Sequence, residues 1–181
     1  MQRSIAELEP LLDHILSAPK DSGTIELLVR RPAESVREKI ESAELDTEVG
    51  VVGDNWLDRA REAAGDGVVS KHAQLTLMNS RSADAVAVDR GRWPLCGDQI
   101  YVDMDLSMEN LPAGSRIKVG TATVEISEVP HTGCPKFSSR FGAEALRFVN
   151  VGDGRANRLR GVNAFIVESG TVSLGDVVKK L

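Results

Sequence analysis

The apolar positions at the start of this chain follow a helical spacing. Six of them recur at intervals of one, three or four residues: Ile5, Leu8, Leu11, Leu12, Ile15 and Leu16. Such spacing lines one face of an α-helix. Ser4 and Glu7 supply the sequence of a capping box before this run, and Pro19 and Gly23 follow it, as expected at the two ends of a helix. The pattern predicts an amphipathic helical appendage over residues 1–22.

The next segment contains one strand-like and one helix-like pattern. The run TIELLVRRP is apolar and stops at Pro32, which predicts a strand. The following run, AESVREKIESAEL, surrounds Val36, Ile40 and Leu45 with charged residues, and it predicts a charged helix. The segment GVVGDNWLDRAREAAGDG is polar and contains four glycines. It predicts a partly helical stretch with either a loop near a pocket or ordinary turns.

From residue 75 onward, short apolar runs alternate with turn-forming residues. The runs QLTLMN, DQIYVDMDL, SRIKVGTATVEISEV and GVNAFIVESGTVSL are rich in β-branched residues, which is typical of short strands. Within them, IKVGTATVEI and FIVESGTVSL predict hairpins. SRSADAVAVDR and PKFSSRFGAEALRFVN predict helices. These patterns predict a mainly β domain over residues 23–181, built as a closed or nearly closed β-barrel with peripheral helices.

Charge and hydropathy restrict the compartment and the partners. The chain has 22 Lys and Arg residues against 27 Asp and Glu residues, a formal net charge of −5. This balance disfavours sequence-independent binding to nucleic acid. No apolar run approaches the roughly 18 residues of a membrane span, and the start of the chain has no apolar core of a secretory signal. We therefore expect a cytoplasmic protein without membrane partners.

Few side chains could ligate a metal. The chain has two cysteines and three histidines: Cys96, Cys134, His14, His72 and His131. They show no C-x-x-C or H-x-x-x-H spacing, so we expect neither a zinc site nor an iron–sulfur cluster. A redox metal would have to arrive with ligands of its own. In a reducing cytoplasm we also expect no disulfide between the two cysteines.

The stretch VPHTGCPKFSSRFG surrounds Cys134 with residues that favour a thiolate. Pro135 is a preferred first residue of a helix, so Cys134 would lie at the helix N-terminus, where the dipole favours an anion. Lys136 and Arg140 add positive charge, and Gly133 permits close approach of a ligand to the backbone. A thiolate here could be a nucleophile or a metal ligand. The alternative is that Cys134 is a small buried core residue.

Two further features could belong to the same site. His131 could be a general acid or base, or a hydrogen-bond partner that keeps Cys134 ionised, or it could only cap a strand end. The downstream segment RFVNVGDGRANRLRG contains four arginines and an asparagine of interest among glycines: Arg147, Asn150, Arg155, Arg158 and Arg160. Arginines with a glycine-rich loop can hold a phosphate. For each arginine alone, solvated surface charge is the alternative.

Several segments together resemble the MOSC domain, the module named for the C-terminal region of molybdenum cofactor sulfurases. The matching text is GVVGDNW (50–56), LTLMNSR (75–81), WPLCGDQIYVDMDLSMENLPAGSRIKVGTATVEIS (93–127), PHTGCPKFSSRFG (130–142), ALRFVN (145–150) and LRGVNAFIVESGTVSLGD (159–176). The blocks DLSxENLPxG, HTGCxKF and RLRG are the most specific. The resemblance implies a barrel like the pyruvate-kinase β-barrel, and one cysteine that binds molybdenum or carries sulfur.

The resemblance also implies roles for individual residues. Cys134 would be the protein's ligand to molybdenum, beside the pterin dithiolene sulfurs and oxo groups, and His131 would be the proton donor. The holders of the pterin phosphate would be basic: Lys136, Arg140, Arg147, Arg158 and Arg160. Asp54 and Asn150 would form hydrogen bonds with the pterin or the substrate, and Gly133 would leave room for them.

Three functions are compatible with this resemblance. The first is a molybdenum-pterin oxidoreductase that reduces N-hydroxylated or N-oxide small molecules with electrons from a separate redox partner. The second is a sulfur carrier that receives a persulfide on Cys134 from a cysteine desulfurase. The third is a non-catalytic protein that stores or inserts the cofactor. Pyridoxal phosphate binding is expected only of relatives that carry a desulfurase domain, because these 181 residues contain none.

Overall fold

A computed structural model describes residues 2–181. This part of the chain has eleven strands: β1 (Ser22–Arg30), β2 (Glu38–Ile40), β3 (Ser42–Asp46), β4 (Gly50–Val51), β5 (Leu75–Asn79), β6 (Ile100–Val102), β7 (Arg116–Val119), β8 (Ala122–Ile126), β9 (Val162–Glu168), β10 (Gly170–Ser173) and β11 (Val177–Lys180). It has seven α-helices: α1 (Ile5–Leu8), α2 (Leu12–Leu16), α3 (Trp56–Ala64), α4 (Ser80–Ala87), α5 (Pro135–Phe141), α6 (Ala143–Asn150) and α7 (Asp153–Ala156). Two 3-10 helices span Glu9–Leu11 and Arg90–Cys96.

Seven of the strands form a closed barrel. They are hydrogen-bonded in the order β1, β6, β5, β9, β8, β7 and β11, and β11 pairs back with β1 to complete the ring. The β5–β6 pair is parallel, whereas the other pairs are antiparallel, so the barrel is mixed. Strand β2 pairs with β1 outside the ring. The predicted closed β-barrel with peripheral helices is confirmed.

Aliphatic side chains fill the barrel. Every strand of the ring contributes a fully or almost fully buried residue to one cluster, for example Ile25, Leu75, Ile100, Ile117, Val124, Ala164 and Val178. Alternate residues of a strand point to the same face, so each strand presents a row of such side chains to the interior. The interior is therefore a packed core, and ligands must bind outside it.

A second apolar cluster joins the helices to the outside of the barrel. Its members come from the N-terminal helices, the strands and α5–α6: Leu8, Ile15, Met78, Tyr101, Phe137, Phe141 and Phe148.

The capping box at the chain start is present, with Ser4 N donating to Glu7 Oε2 at 2.8 Å. The division into residues 1–22 and 23–181 stays a prediction. No helix within residues 2–181 has the length and hydropathy needed to span a membrane.

Two predictions from the apolar pattern were wrong. Residues 33–45 do not form a helix: they contain β2, which pairs with β1, and β3, which pairs with β10 through Ala43 and Val172. Cross-strand partners override local helix preference here. FIVESGTVSL is not a hairpin, because both edges of β9 are already occupied by β5 and β8. Strand β10 instead joins a separate sheet in the order β10, β3, β4. The β7–β8 hairpin was predicted correctly.

Candidate functional site

A cavity of about 440 Å³ lies at the junction of α5, α3 and the loop between β1 and β2. We call it the Cys134 cavity. Six basic side chains line it: Arg31, Arg37, Arg59, Lys136, Arg140 and Arg160. Only two of its lining residues are acidic, Glu34 and Glu62. A chain with a net charge of −5 thus places six of its 22 Lys and Arg residues around one cavity, which favours an anionic ligand.

Cys134 is exposed on the wall of this cavity. It is the residue before α5, and Pro135 is the first helical residue, as predicted. The carbonyl of Cys134 accepts the N–H groups of Phe137 and Ser138 at 2.9 and 3.1 Å, which begins the helix. The alternative that Cys134 is a buried core residue is wrong. Its thiol is free and accessible to a ligand or partner.

Cys96 lines the same cavity but is buried, with 3% of its surface exposed. Its thiol is also free. Burial raises the pKa of this thiol strongly, and the nearby Asp98 carboxylate raises it further. Cys96 therefore remains a neutral thiol at physiological pH, which leaves Cys134 as the candidate reactive cysteine.

Three consecutive backbone carbonyls hold three of the cavity's arginines in place. The pairs are Arg140 Nη1 with Leu95 O (2.7 Å), Arg160 Nη2 with Cys96 O (2.8 Å) and Arg31 Nη1 with Gly97 O (3.0 Å). Gly97 has a φ of 101°, a left-handed conformation that favours glycine. A carbonyl oxygen orients a guanidinium without neutralising its charge. The last two residues of the second 3-10 helix, together with Gly97, therefore orient three guanidinium groups around the cavity.

Asp54 fixes Arg31 from the other side. Arg31 Nε lies 2.9 Å from Asp54 Oδ2, and Arg31 Nη2 lies 3.0 Å from Asp54 Oδ1. The same carboxylate accepts the backbone N–H groups of Arg31 and Trp56, and its side chain is completely buried. Asp54 was predicted to contact the pterin or the substrate. The structure instead places it behind Arg31, which it orients.

The remaining cavity arginines, Arg37 and Arg59, are both repelled by the charge of Arg31. Burial lowers the pKa of Arg37 and of Arg59, and the charge of Arg31 lowers both further. The Nε atoms of Arg37 and Arg160 are buried without a hydrogen-bond partner among residues 2–181. Buried donors are normally paired in native proteins. An anion in the cavity would pair such donors and offset the repulsion between the guanidinium groups.

A buried carboxylate connects Arg160 with His131. Asp98 Oδ1 lies 2.9 Å from His131 Nε2, and Asp98 Oδ2 lies 2.6 Å from Arg160 Nη1. Burial acts to raise the pKa of Asp98, but Arg160 and His131 outweigh it and lower the pKa to about 2. Burial, together with Arg160, lowers the pKa of His131 in spite of Asp98. His131 is therefore neutral at pH 7, and its Nε2–H donates to the carboxylate, which can only accept.

Eight of the ten predicted site residues are divided among three cavities. The Cys134 cavity contains four of them: Cys134, Lys136, Arg140 and Arg160. A smaller cavity of about 80 Å³ is lined by three others: His131, Asn150 and Arg158. Arg147 lines a third cavity beside the N-terminal helices. The four residues of the first group therefore belong to the candidate site, whereas the phosphate-binding roles of Arg147 and Arg158 have no support from their positions.

Several of these residues support the backbone. Gly133 N donates to Asn150 Oδ1 at 2.9 Å, and Asn150 Nδ2 donates to Gly133 O at 3.3 Å. A Cβ on Gly133 would lie 2.5 Å from Leu146 Cδ1, so this glycine permits close packing of the loop on α6. Arg158 Nη1 donates to the carbonyl of Leu111 at 2.5 Å. The Asn150 contacts position the loop before Cys134, whereas the Arg158 contact holds the loop that contains Leu111.

The glycine-rich segment GDG has a packing role. A Cβ on Gly154 would lie 1.7 Å from the carbonyl oxygen of Phe148, so only glycine allows α7 to pack this closely on α6. The adjacent Arg155 lines the 80 Å³ cavity. The phosphate loop considered for this segment is therefore not part of the Cys134 cavity.

Sequence reasoning missed three arginines of the site. Arg31 follows β1, Arg37 precedes β2, and Arg59 lies on α3. They come from a region that the sequence connected to the site only through Asp54. The buried Asp54 in the turn GDN was a usable signal, because a fully buried carboxylate requires a cationic partner.

Comparisons with known proteins support the fold. No family model matches the sequence, and no curated protein matches it. The structure is similar to the YuaD protein from Bacillus subtilis, at 20% identity over 88% of this chain and 95% of that chain, with a TM-score of 0.60. It is also similar to YiiM from Escherichia coli (16% identity, 87% and 69% covered, TM-score 0.55) and YiiM from Geobacillus stearothermophilus (12% identity, 88% and 73% covered, TM-score 0.54). YuaD and YiiM are MOSC-domain proteins, and the chain shares their barrel fold.

Proposed function

We propose that this chain binds a molybdenum–pterin cofactor in the Cys134 cavity, with Cys134 as the protein's ligand to the metal. One observation carries the proposal: an exposed thiol on the wall of a cavity that six basic side chains line, in a chain of net negative charge. The shared fold with MOSC-domain proteins supports it.

The residues present fit such a cofactor. A cavity of about 440 Å³ lies within the size range of small-molecule sites. Arg37 and Arg160 each have a buried Nε without a partner among the described residues, and guanidinium groups bind phosphate well. A single soft thiolate suits molybdenum that already has dithiolene ligands. We therefore assign the phosphate to the arginines and the metal to Cys134.

The chain would bind the cofactor with little reorganisation. Arg31, Arg140 and Arg160 are already held by backbone carbonyls, so their charges need no ordering when a ligand arrives. Lys136 lies on the exposed edge of the cavity, where 65% of its side chain is accessible. It can turn toward an incoming anion.

We propose that the loaded protein is an oxidoreductase. When bound, the cofactor would supply the two-electron chemistry that removes oxygen from an N-hydroxylated compound or an N-oxide. A separate redox partner would supply the electrons. The predicted proton donor, His131, lines a different cavity, and its Nε2–H is bonded to Asp98. This geometry favours a supporting role for His131.

A second candidate function is sulfur transfer, which the exposure of Cys134 favours. A cysteine desulfurase could reach this thiol without any opening of the fold. The basic residues of the cavity would stabilise the negative charge of a persulfide. Retention of a pterin distinguishes the two functions, since a carrier needs none.

Metal and pterin analysis tests the proposal. The wild type, Cys134→Ser and a control, Ser139→Ala, are produced in a host that makes the cofactor. Ser139 is an exposed residue of α5 outside the cavity lining. We expect molybdenum and pterin in the wild type and the control, and a large loss of molybdenum in Cys134→Ser. The absence of molybdenum and pterin from the wild type would contradict the proposal. A persulfide on Cys134 after incubation with a desulfurase and cysteine, without bound pterin, would support the carrier.

A further inference from the structure

The segment that carries Cys134 is irregular but firmly held. Residues 127–134 connect β8 to α5 without helix or strand. His131 is fixed to Asp98 by a hydrogen bond of 2.9 Å. Gly133 is fixed to Asn150 through both its N–H and its carbonyl. The backbone is therefore anchored on both sides of Thr132, immediately before the thiol.

Arg160 contacts α5 on the other side of Cys134. Its guanidinium carbon lies 5.1 Å from the centroid of the Phe137 ring, within the range of a cation–π contact. Phe137 is buried at 1% exposure. Arg160 Nη1 is bound to Asp98 Oδ2 at 2.6 Å. The Asp98 carboxylate is thus bonded to His131, three positions before Cys134. Through Arg160 it is also connected to Phe137, three positions after Cys134.

We infer that Asp98 is a positioning residue, which holds the Cys134 thiol over the cationic cavity by fixing His131 and Arg160 relative to each other. The inference rests on the proposed function, because it requires Cys134 and the basic residues of the cavity to bind the same ligand. The Asp98 side chain is completely buried, so it acts through its two partners and not by contact with the ligand.

A carboxylate can accept from both partners at once. Each of its oxygens receives a donor, His131 Nε2–H on one side and Arg160 Nη1–H on the other. In Asp98→Asn, an amide NH₂ that faced Arg160 would be repelled, and one that faced His131 would be bonded only if the ring changed to its Nδ1–H tautomer. The Arg160 charge would also be left buried and unpaired. The variant should weaken both contacts, at a cost in stability.

The contact between Asp98 and His131 can be tested without disturbing the ion pair between Asp98 and Arg160. His131→Ala removes the tie between the loop and Asp98 but keeps the Asp98–Arg160 pair, so it should fold even if Asp98→Asn does not. His131→Gln is the conservative rescue, because the Gln side-chain amide can place an N–H donor near the position of Nε2. Asp103→Asn is the matched control, since Asp103 pairs with Arg81 outside the Cys134 cavity.

The measurement is protection of Cys134 from iodoacetamide by inorganic phosphate, followed by peptide mass spectrometry on protein without cofactor. In the wild type, His131→Gln and Asp103→Asn, phosphate at ten times its Kd should slow alkylation of Cys134 by about tenfold, because the free fraction falls by that factor. In His131→Ala and in any folded Asp98→Asn, phosphate should still bind, as measured by calorimetry, but protection should fall to less than about twofold.

Each outcome has one reading. Protection in the wild type that persists in His131→Ala would overturn the inference and leave the proposed function standing. Loss of protection in His131→Ala that His131→Gln does not restore would assign a structural role to the ring and overturn it as well. Phosphate that neither binds nor protects the wild type would overturn the anionic cavity, and with it both the proposed function and the inference.

Discussion

Lys136 Nζ lies 2.8 Å from Glu34 Oε1, and this ion pair joins α5 to the β1–β2 loop at the exposed edge of the Cys134 cavity. The hydrogen bond from Lys136 and its charge lower the pKa of Glu34. Both side chains are largely exposed, at 65% and 79%. A carboxylate of the protein thus contacts a lysine that an anionic ligand would otherwise meet at the entrance.

Glu34→Gln should strengthen the binding of inorganic phosphate. An exposed ion pair is weak, so the affinity should rise by no more than about fivefold. Lys136→Gln should weaken phosphate by a similar factor. Titration calorimetry at low and high salt measures both effects, which should shrink as salt screens the charges. Glu48→Gln, which breaks the exposed pair with Lys71, is the control and should leave the affinity unchanged. Weaker phosphate binding by Glu34→Gln would contradict this account.

Asp54→Asn should destabilise the fold strongly. The carboxylate is completely buried and forms two hydrogen bonds with the Arg31 guanidinium. Removal of one partner of a buried ion pair costs about 3–5 kcal/mol, because the other charge remains buried without compensation. Urea unfolding measures this loss.

The matched comparison for Asp54→Asn is Glu125→Gln. Glu125 pairs with Arg116 on the barrel surface, where 58% of the arginine side chain is exposed. That change should cost less than about 1 kcal/mol. Equal losses in the free energy of unfolding in the two variants would show that the Arg31–Asp54 pair stabilises the fold no more than an exposed pair does.

Local sequence determined the features near Cys134 that could be predicted. The helix start at Pro135 depends on interactions within four residues of Cys134, and the β7–β8 hairpin pairs residues that are close in the chain. The wrong helix over residues 33–45 failed for the opposite reason. Its β3 segment gains its partner from β10, where Glu44 pairs with Thr171, and no local pattern reports a partner that distant.

The composition of the site was predictable only in part, for the same reason. Cys134, Lys136 and Arg140 stand together in the sequence, and Arg160 was identified in the arginine-rich segment downstream. Arg31 and Arg59 reach the cavity because the tertiary fold brings the segment after β1 and α3 to the same cavity as α5. This clustering of positive charge depends on the tertiary structure, because the sequence around either arginine does not predict that it lies near Cys134.

Acid should destabilise the protein in two steps. Burial and Arg160 lower the pKa of His131 below its ordinary 6.5, so below about pH 6.5 the unfolded chain takes up a proton that the folded state resists. For Asp98, burial opposes ionisation, but Arg160 and His131 prevail and hold the pKa at about 2, below 3.8. In both cases the unfolded state binds more protons, so stability is present at neutral pH and is lost as the pH falls.

The second step, between about pH 4 and pH 2, should amount to roughly 2 kcal/mol for Asp98. Urea midpoints at a series of pH values measure both steps. His131→Gln should abolish the first, because glutamine does not titrate. A wild-type stability that rises as the pH falls from 7 to 5 would contradict the assigned direction of the His131 shift.

The two cysteines should react at very different rates, although both line one cavity. Attack on a disulfide reagent requires an accessible thiolate. Cys134 is exposed, whereas Cys96 is 3% exposed and burial raises the pKa of its thiol. A colorimetric thiol assay at pH 7.5 (about one unit below the ordinary thiol pKa) should therefore modify one thiol per folded chain quickly, and two in urea.

Variants identify the thiols in that assay. Cys134→Ser should remove the fast phase, and Cys96→Ala should retain it. In the wild type, the slow modification of Cys96 should accelerate with urea in proportion to the unfolded population, because only opening of the fold exposes that sulfur. Fast modification of both thiols in the native protein would contradict this prediction, since it would mean that the cavity floor is open to reagent and that Cys96 competes with Cys134 for any ligand.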